Sequence, residues 1–224
     1  MTGNVLAVIV AYLIGSLPLG LVMGKVLKGV DIRDYGSGKI GATNVMRTVG
    51  FGPALIVAAF DISKGIAGFY LGNALGDSSW TNALAALAAL AGHNWSMFLK
   101  FGGGRGVNTG IGVMFVITPI WGVVALGSGI VAVGFTRYVS LGSLIGTAIG
   151  MTAITVLAAT GHQPWAYAFF ALSAGVIIIV QHRDNIERLV NGTERRLGQK
   201  GESRAGSPVG GDPVKPRTVP GKSI

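Results

Sequence analysis

The chain has 224 residues, 50% of them hydrophobic and only 12% charged, with a net charge of +9 and no cysteine. Soluble domains carry about 25% charged residues, so the shortfall points to a bilayer, and 37 glycines suit close helix packing in lipid. Without cysteine, disulfides, thiolate metal sites, a cysteine nucleophile and thioester intermediates are all excluded.

An apolar run covers about residues 5–26, broken by Gly15, Pro18 and Gly20. A helix needs roughly 20 residues to cross the hydrocarbon, so the run is long enough. The start, MTGN, has no basic region, and Lys25 and Lys28 follow the apolar part instead of preceding it. The segment therefore reads as an uncleaved first span with its N-terminus outside. Further runs lie at about 51–75, 81–98, 107–118, 119–136, 139–160 and 164–181, which makes seven. The stretch 107–136 is one long helix or two short ones meeting near Pro119. Seven spans put the C-terminus opposite the N-terminus; six would not.

Charge placement orients the chain. With seven spans every basic residue except Lys64 falls on one face, in segments 25–50, 93–106, 137–143 and beyond 181. The opposite connections, near 76–80, 118–120 and 160–164, have none. By the positive-inside rule the loaded face is cytoplasmic. In a soluble chain such a charge would suggest nucleic acid; on one face of a membrane protein it sets topology, and no nucleic-acid partner is expected. The expected fold class is therefore all-α: a polytopic membrane protein with about seven helices, N-terminus outside and C-terminus cytoplasmic. Residues 1–197 read as one transmembrane domain, and the Gly, Pro, Ser and Lys-rich residues 198–224 as a disordered basic cytoplasmic tail.

Three polar stretches interrupt the apolar chain. The first, GSGKIGATNVMR (36–47), formally contains G-x-G-x-x-G. That fingerprint needs a preceding strand and a βαβ unit, and here a membrane span precedes it. No G-K-[ST] follows the spacing of a Walker loop either. The physical content survives: glycines let backbone N–H groups approach an anion, Ser37, Thr43 and Asn44 add donors, and Arg47 pairs a phosphate through its fork. The bland alternative is a flexible basic loop. The second stretch, GHNWSMFLKFGGGRGVNTG (92–110), opens at His93 and sets Arg105 among glycines, where nothing bulky blocks an oxyanion. Its bland alternative is a glycine hinge beside a topology-setting arginine. In the third, QHRDNIERLVNGTER (181–195), His182 and Asn185 share a face if the last span continues as helix; a solvated juxtamembrane helix is the alternative. Ser140 and Ser143 follow Arg137 at the start of a span. Asp61 and Lys64, three apart inside the second run, pair with each other. All these clusters but Asp61 and Lys64 fall on one face, which argues for one site there and against a path across the bilayer.

These blocks resemble the acyl-phosphate:glycerol-3-phosphate acyltransferases of bacteria, small seven-helix enzymes that begin phospholipid synthesis. Their GSGxxGATNxxR is met by Gly36–Arg47, their GHxxxxFLxFxGGKGV by Gly92–Val107, and their HRxNIxRLxxGxE by His182–Glu194. YLIGSLPLG (12–20), DISKG (61–65) and RYVSLGS (137–143) also fit, so the likeness covers about residues 5–196. The chain departs from the pattern at Lys39-Ile40 for Asn-Pro, at Trp95-Ser96 for aromatic-Pro, at Asn108 for a small residue, and at Arg105 for lysine. Arginine keeps the charge but changes shape and reach.

The resemblance implies transfer of a fatty acyl group from acyl phosphate to the 1-hydroxyl of glycerol 3-phosphate, giving lysophosphatidic acid and phosphate. Carried over motif by motif, it implies catalytic roles for Arg105, Ser143, His182 and Asn185. It implies substrate and phosphate contacts for Ser37, Gly38, Gly41, Thr43, Asn44, Arg47, His93, Gly103, Gly104 and Ser140. It implies no metal and no cofactor, a monomer in the cell membrane, and a site on the cytoplasmic face. The residue inventory permits this chemistry. An acyl phosphate is a mixed anhydride, already activated, so no cysteine is needed, and catalysis rests on positioning and charge stabilisation. No side chain is an obvious general base; His182 and a substrate phosphate oxygen are the two choices. The H-x-x-x-x-D of the other glycerol-phosphate acyltransferase class is missing: five residues after His93, His162 and His182 stand Phe98, Tyr167 and Glu187. A transporter of a phosphorylated solute would need more mid-membrane polar residues and repeat symmetry. An inactive relative is the other alternative, motivated by Arg105.

Overall fold

The computed structural model describes residues 1–201 and 203; most of the tail expected from residue 198 onward lies outside the described residues. Those described residues form ten α-helices, two 3₁₀ turns and no strand longer than an isolated bridge. The seven apolar runs all fold as helix. The first holds α1 (Thr2–Gly15) and α2 (Leu19–Lys28), divided at Pro18. A short α3 (Ala42–Thr48) follows the first polar loop, and then come α4 (Phe51–Leu75), α5 (Ser79–Asn94), α6 (Val107–Ile117), α7 (Pro119–Thr136), α8 (Val139–Ala159) and α9 (Trp165–Gln181). The last helix, α10 (Arg183–Val190), is amphipathic.

Pro119 decides the open question at 107–136. Proline at a first helical position loses no hydrogen bond, so Thr118 ends α6 and Pro119 opens α7 as a separate helix. Four bodies are long and apolar enough to cross a bilayer by themselves: α1 with α2, α4, α7 and α8. A fifth is added if α9 and α10, bent by 58° at their junction, make one span. At 1.5 Å per residue α6 rises about 16 Å, roughly half the hydrocarbon thickness. Of the two readings left open for the third polar stretch, the last span does not continue straight: the chain turns at His182 and α10 follows as a separate helix.

The helices close a ring. Each of α4, α6, α7, α8, α9 and α5 packs against the next, α5 returns to α4, and α1 lies outside against α4 and α5. Small residues permit the approach: a Cβ on Gly65 would collide with the Thr109 carbonyl across the α4–α6 contact, and one on Gly112 with the Ile62 carbonyl. The largest apolar cluster, including Phe69, Leu90, Val113, Ile154 and Phe170, fills one side of this ring. A second, with Leu21, Ile32, Val45 and Val57, seats α3 and the first polar loop on α4. The break at Pro18 leaves Leu17 O accepting from Lys64 Nζ at 2.7 Å. The same ammonium lies 2.9 Å from Asp61 Oδ1, and His93 Nδ1 lies 3.3 Å from that oxygen. The expected Asp61–Lys64 pair thus forms, with His93 as a third member.

Candidate active site

A cavity of about 600 Å³ lies inside the ring. The register of α8 shows its gradient, because Ser140, Ser143, Thr147, Gly150 and Ile154 line it in succession. At the polar end it is met by the first loop, the glycine loop before α6, and the α9–α10 bend. Deeper, between α7, α8 and α9, its lining is apolar: Ile130, Val133, Met151, Ile154 and Phe170.

The first polar loop owes its shape to Asn44. Its amide donates to the carbonyls of Ile32 (2.8 Å), Tyr35 (3.2 Å) and Lys39 (2.8 Å), and its Oδ1 accepts from Ser37 N (3.1 Å). With 2% exposure and its donors engaged by backbone, Asn44 holds the loop in shape, and it also lines the cavity. Gly38 serves the same end at φ +68° and is absent from the cavity wall, whereas Ser37, Gly41, Thr43 and Arg47 line it.

The glycine loop is pinned from beneath by His93. Gly104 N donates to the His93 carbonyl at 2.9 Å, and a Cβ on Gly104 would strike the His93 ring. A Cβ on Gly103 would strike the His93 and Asn94 carbonyls. These two glycines therefore pack under the loop, and neither lines the cavity; His93 and Arg105 do. The physical reason is clearance: the loop descends onto α5 so closely that only glycine fits.

Arg105 and Arg47 carry the electrostatics. Burial brings the Arg105 guanidinium down from its ordinary value to about 10, against the pull of Glu194. Arg47 is lowered by burial and then by the like charge of Arg195, Glu194 again opposing. Each has a buried Nε without a hydrogen-bond partner. Buried donors are normally satisfied, so two unsatisfied guanidinium donors on one cavity mark a place for an anion.

Glu194 brings a carboxylate to this end, and motif reading gave it no role. It accepts from Ser140 Oγ (2.8 Å), Asn185 Nδ2 (2.6 Å) and Arg188 Nε (2.8 Å), joining α8 to α10. Burial alone would raise its carboxyl; the hydrogen bonds from Asn185, Ser140 and Arg188 outweigh this and hold it below the ordinary value. Its signal in sequence was that it is the last fixed residue of the third motif, met by His182–Glu194. Lys39, Asn108 and Asp61 also line the cavity without having been singled out for it.

Ser143 Oγ donates to Val139 O at 2.9 Å, which leaves its lone pairs toward incoming donors. His182 Nδ1 lies 2.8 Å from Ile178 O. A carbonyl can only accept, so Nδ1 carries the proton and Nε2 of the neutral ring carries the lone pair. His182 is buried, and the bend there keeps Asn185 beside it: Asn185 N donates to His182 O at 2.8 Å. Thus Arg105, Ser143, His182 and Asn185, drawn from four separate elements, meet on one cavity.

This arrangement defines a class: an integral membrane protein of apolar helices whose cavity has arginine donors at one end and an apolar lining at the other. The glycerol-3-phosphate acyltransferase family model matches residues 5–192, and the chain belongs to that family. The glycerol-3-phosphate acyltransferase of one strain of Thermus thermophilus is 44% identical over 204 residues, covering 91% of this chain and all of the relative. Glycerol-3-phosphate acyltransferase 2 of Moorella thermoacetica is 44% identical over 195 residues, 87% of this chain and 98% of that one. The fold matches crystal structures of PlsY (YgiH), an integral membrane glycerol 3-phosphate acyltransferase. Its glycerol 3-phosphate form gives a TM-score of 0.79 at 37% identity, over 87% of this chain and 96% of that one. Its lysophosphatidic acid form gives 0.77 at 36% identity, over 87% and 95%.

Proposed function

We propose that this glycerol-3-phosphate acyltransferase takes its acyl group from acyl phosphate and works as a monomer from the cytoplasmic face of the cell membrane. The observation that carries the reading is the pairing of two half-buried guanidinium groups, each with a buried Nε that lacks a hydrogen-bond partner, with an apolar shaft in one cavity. A donor with a phosphate head and a long chain fits both ends. Seven crossings, the N-terminus outside and the basic connections inside, support the placement of the site. Residues 1–197 form the transmembrane acyltransferase domain, and the basic residues from 198 onward follow it.

The glycerol 1-hydroxyl oxygen attacks the acyl carbonyl carbon, forming the ester C–O bond. The carbonyl-to-phosphate C–O bond breaks and inorganic phosphate departs. Arg105 faces the charge that grows on the leaving phosphate, which preorganised donors stabilise more in the transition state than in the ground state. Arg47 and Ser37 hold phosphate at the loop, and Gly41 and Thr43 line the same wall. His182 Nε2 and Asn185 orient the hydroxyl, and Ser143 hydrogen-bonds at the reacting centre, with Ser140 tied back to Glu194. The hydroxyl proton passes to a phosphate oxygen, whose second pKa is about 6. His93 acts from below by seating the loop that carries Arg105.

The test is direct. Protein purified in lipid is mixed with palmitoyl phosphate and glycerol 3-phosphate, with palmitoyl-CoA as the control donor. Equal release of phosphate and lysophosphatidic acid, with acyl phosphate alone as donor, is expected. Product from palmitoyl-CoA instead would overturn the donor assignment. No product from folded protein with any chain length would leave the inactive-relative reading standing.

A further inference from the structure

The family model ends at residue 192, yet the ordered chain does not. Beyond Glu194 it runs past the polar end of the cavity and turns at Leu197 and Gly198, and its contacts fall on both sides. On one side, Leu197 N donates to Arg137 O at 2.6 Å and Arg137 Nη2 donates back to Leu197 O at 3.0 Å. The Arg196 guanidinium lies 5.8 Å from the Tyr138 ring. On the other side, Arg47 is held twice: its Nη2 donates to Arg195 O at 3.3 Å, and its own carbonyl accepts from Gly201 N at 3.1 Å. Gly201 is buried against α3, where an added Cβ would stand 3.1 Å from Thr48 Oγ1, and Ser203 bridges to Tyr35. Leu197 itself lines the cavity.

We infer that residues 195–201, with Ser203, are a strap that positions Arg47 for glycerol 3-phosphate, making this segment beyond the family model part of the substrate site. The inference rests on the acyltransferase reading. A guanidinium on a short surface helix has many rotamers, and holding one of them in advance removes that cost from binding. Arg195 O occupies one nitrogen and leaves Nε without a partner, so the strap fixes the fork while sparing the donor that the ligand needs. The effect falls on glycerol 3-phosphate first. The acyl donor is also held by burial of its chain in the apolar shaft, whereas glycerol 3-phosphate has no apolar part and depends on its polar contacts.

The experiment compares four full preparations in detergent: the native chain, a chain ending at Ser203, a chain ending at Glu194, and the full-length Leu197→Pro variant. The last deletes the N–H that meets Arg137 O and leaves every other strap residue in place. Glycerol 3-phosphate binding is read by calorimetry and thermal unfolding by fluorescence. KM and kcat are read by acyl transfer where the native chain is active. The expected result is a Kd and KM for glycerol 3-phosphate about tenfold higher in the Glu194-terminated chain and in Leu197→Pro, the equivalent of one well-placed charged contact. The donor KM and kcat change less than about threefold, and the Ser203-terminated chain matches native. If the shorter truncation unfolds at lower temperature, Leu197→Pro decides, and a Kd within about twofold of native in that variant overturns the strap. The same weakening in the Ser203-terminated chain also overturns it, because the effect then lies beyond residue 203. Normal glycerol 3-phosphate binding without acyl transfer defeats the donor reading and leaves the strap scored by Kd. Failure of the native chain to bind glycerol 3-phosphate defeats both.

Discussion

Arg105 is charged and half-buried, and its buried Nε has no hydrogen-bond partner. Its folded-state pKa, about 10, lies below its ordinary value, so the fold disfavours the charged form relative to the unfolded chain. That cost is present at neutral pH and disappears as pH rises through about 10 toward the unfolded value. Replacing Arg105 by Met should therefore raise the unfolding temperature of the ligand-free protein by a few degrees. It should also cut acyl transfer by about 10²–10³, the usual loss for one charge-stabilising donor. Arg105→Lys should retain activity within about tenfold, since the charge stays and only the fork is lost. A thermal-shift series with and without inorganic phosphate checks the first part; a fall in unfolding temperature for Arg105→Met would contradict it. The residue types at this site were legible because arginine among glycines is unusual in an oily chain. Asn44, Gly103 and Gly104 were not, because a residue that shapes a loop and one that touches an anion look alike in a motif. Only the four hydrogen bonds of Asn44 and the His93 ring beneath Gly104 tell them apart.

Helix ends decide the next scale. The runs predicted from hydropathy are present, but their joints required three dimensions: the break at Pro18, the division at Pro119 and the bend at His182. Proline marked two of these in advance; the third lies in an unbroken polar sequence and is fixed by Glu194, which ties Asn185 to Ser140 across α10 and α8. Because Glu194 has a folded-state pKa below its ordinary value, its contribution is present above the unfolded value and lost as pH falls through the folded one. Glu194→Gln should lower the unfolding temperature at pH 7 and flatten its decline as pH falls below the ordinary carboxyl value of 4.5. Parallel pH profiles for the variant and native protein would refute this. The Asp61–Lys64 pair makes a sharper case. Lys64→Leu should cost about 3–5 kcal/mol by stranding a buried carboxylate and the Leu17 carbonyl, and Asp61→Leu with Lys64→Leu should recover part of the loss. Chemical denaturation of the three variants reads it; a double variant weaker than the single one would show that the pair contributes more than its compensation.

At the scale of the whole molecule the topology turns on two short helices. By length and composition four or five bodies are long and apolar enough to cross a bilayer, and a total of seven also requires α5 and α6, which are shorter. The charge pattern calls for seven, because with seven the basic segments 25–50, 93–106, 137–143 and beyond 181 all share one face. The ring gives α6 a means to serve with only eleven residues, since a helix enclosed by neighbours need not meet lipid along a full bilayer thickness. The absence of cysteine makes the chain a clean background for labelling. In intact cells, an impermeant maleimide should modify Asp77→Cys and His162→Cys, and should reach Lys28→Cys and Arg183→Cys only after the membrane is opened. Labelling of the Lys28 and Arg183 positions from opposite sides would mean that one short helix turns back within the bilayer. The two arginine-bearing loops and the α9–α10 bend would then no longer share a face, and a single cavity drawing substrate from the cytoplasm could not be built from them. The topology and the chemistry therefore stand on the same measurement, because the anion end of the cavity exists only where these three connections meet.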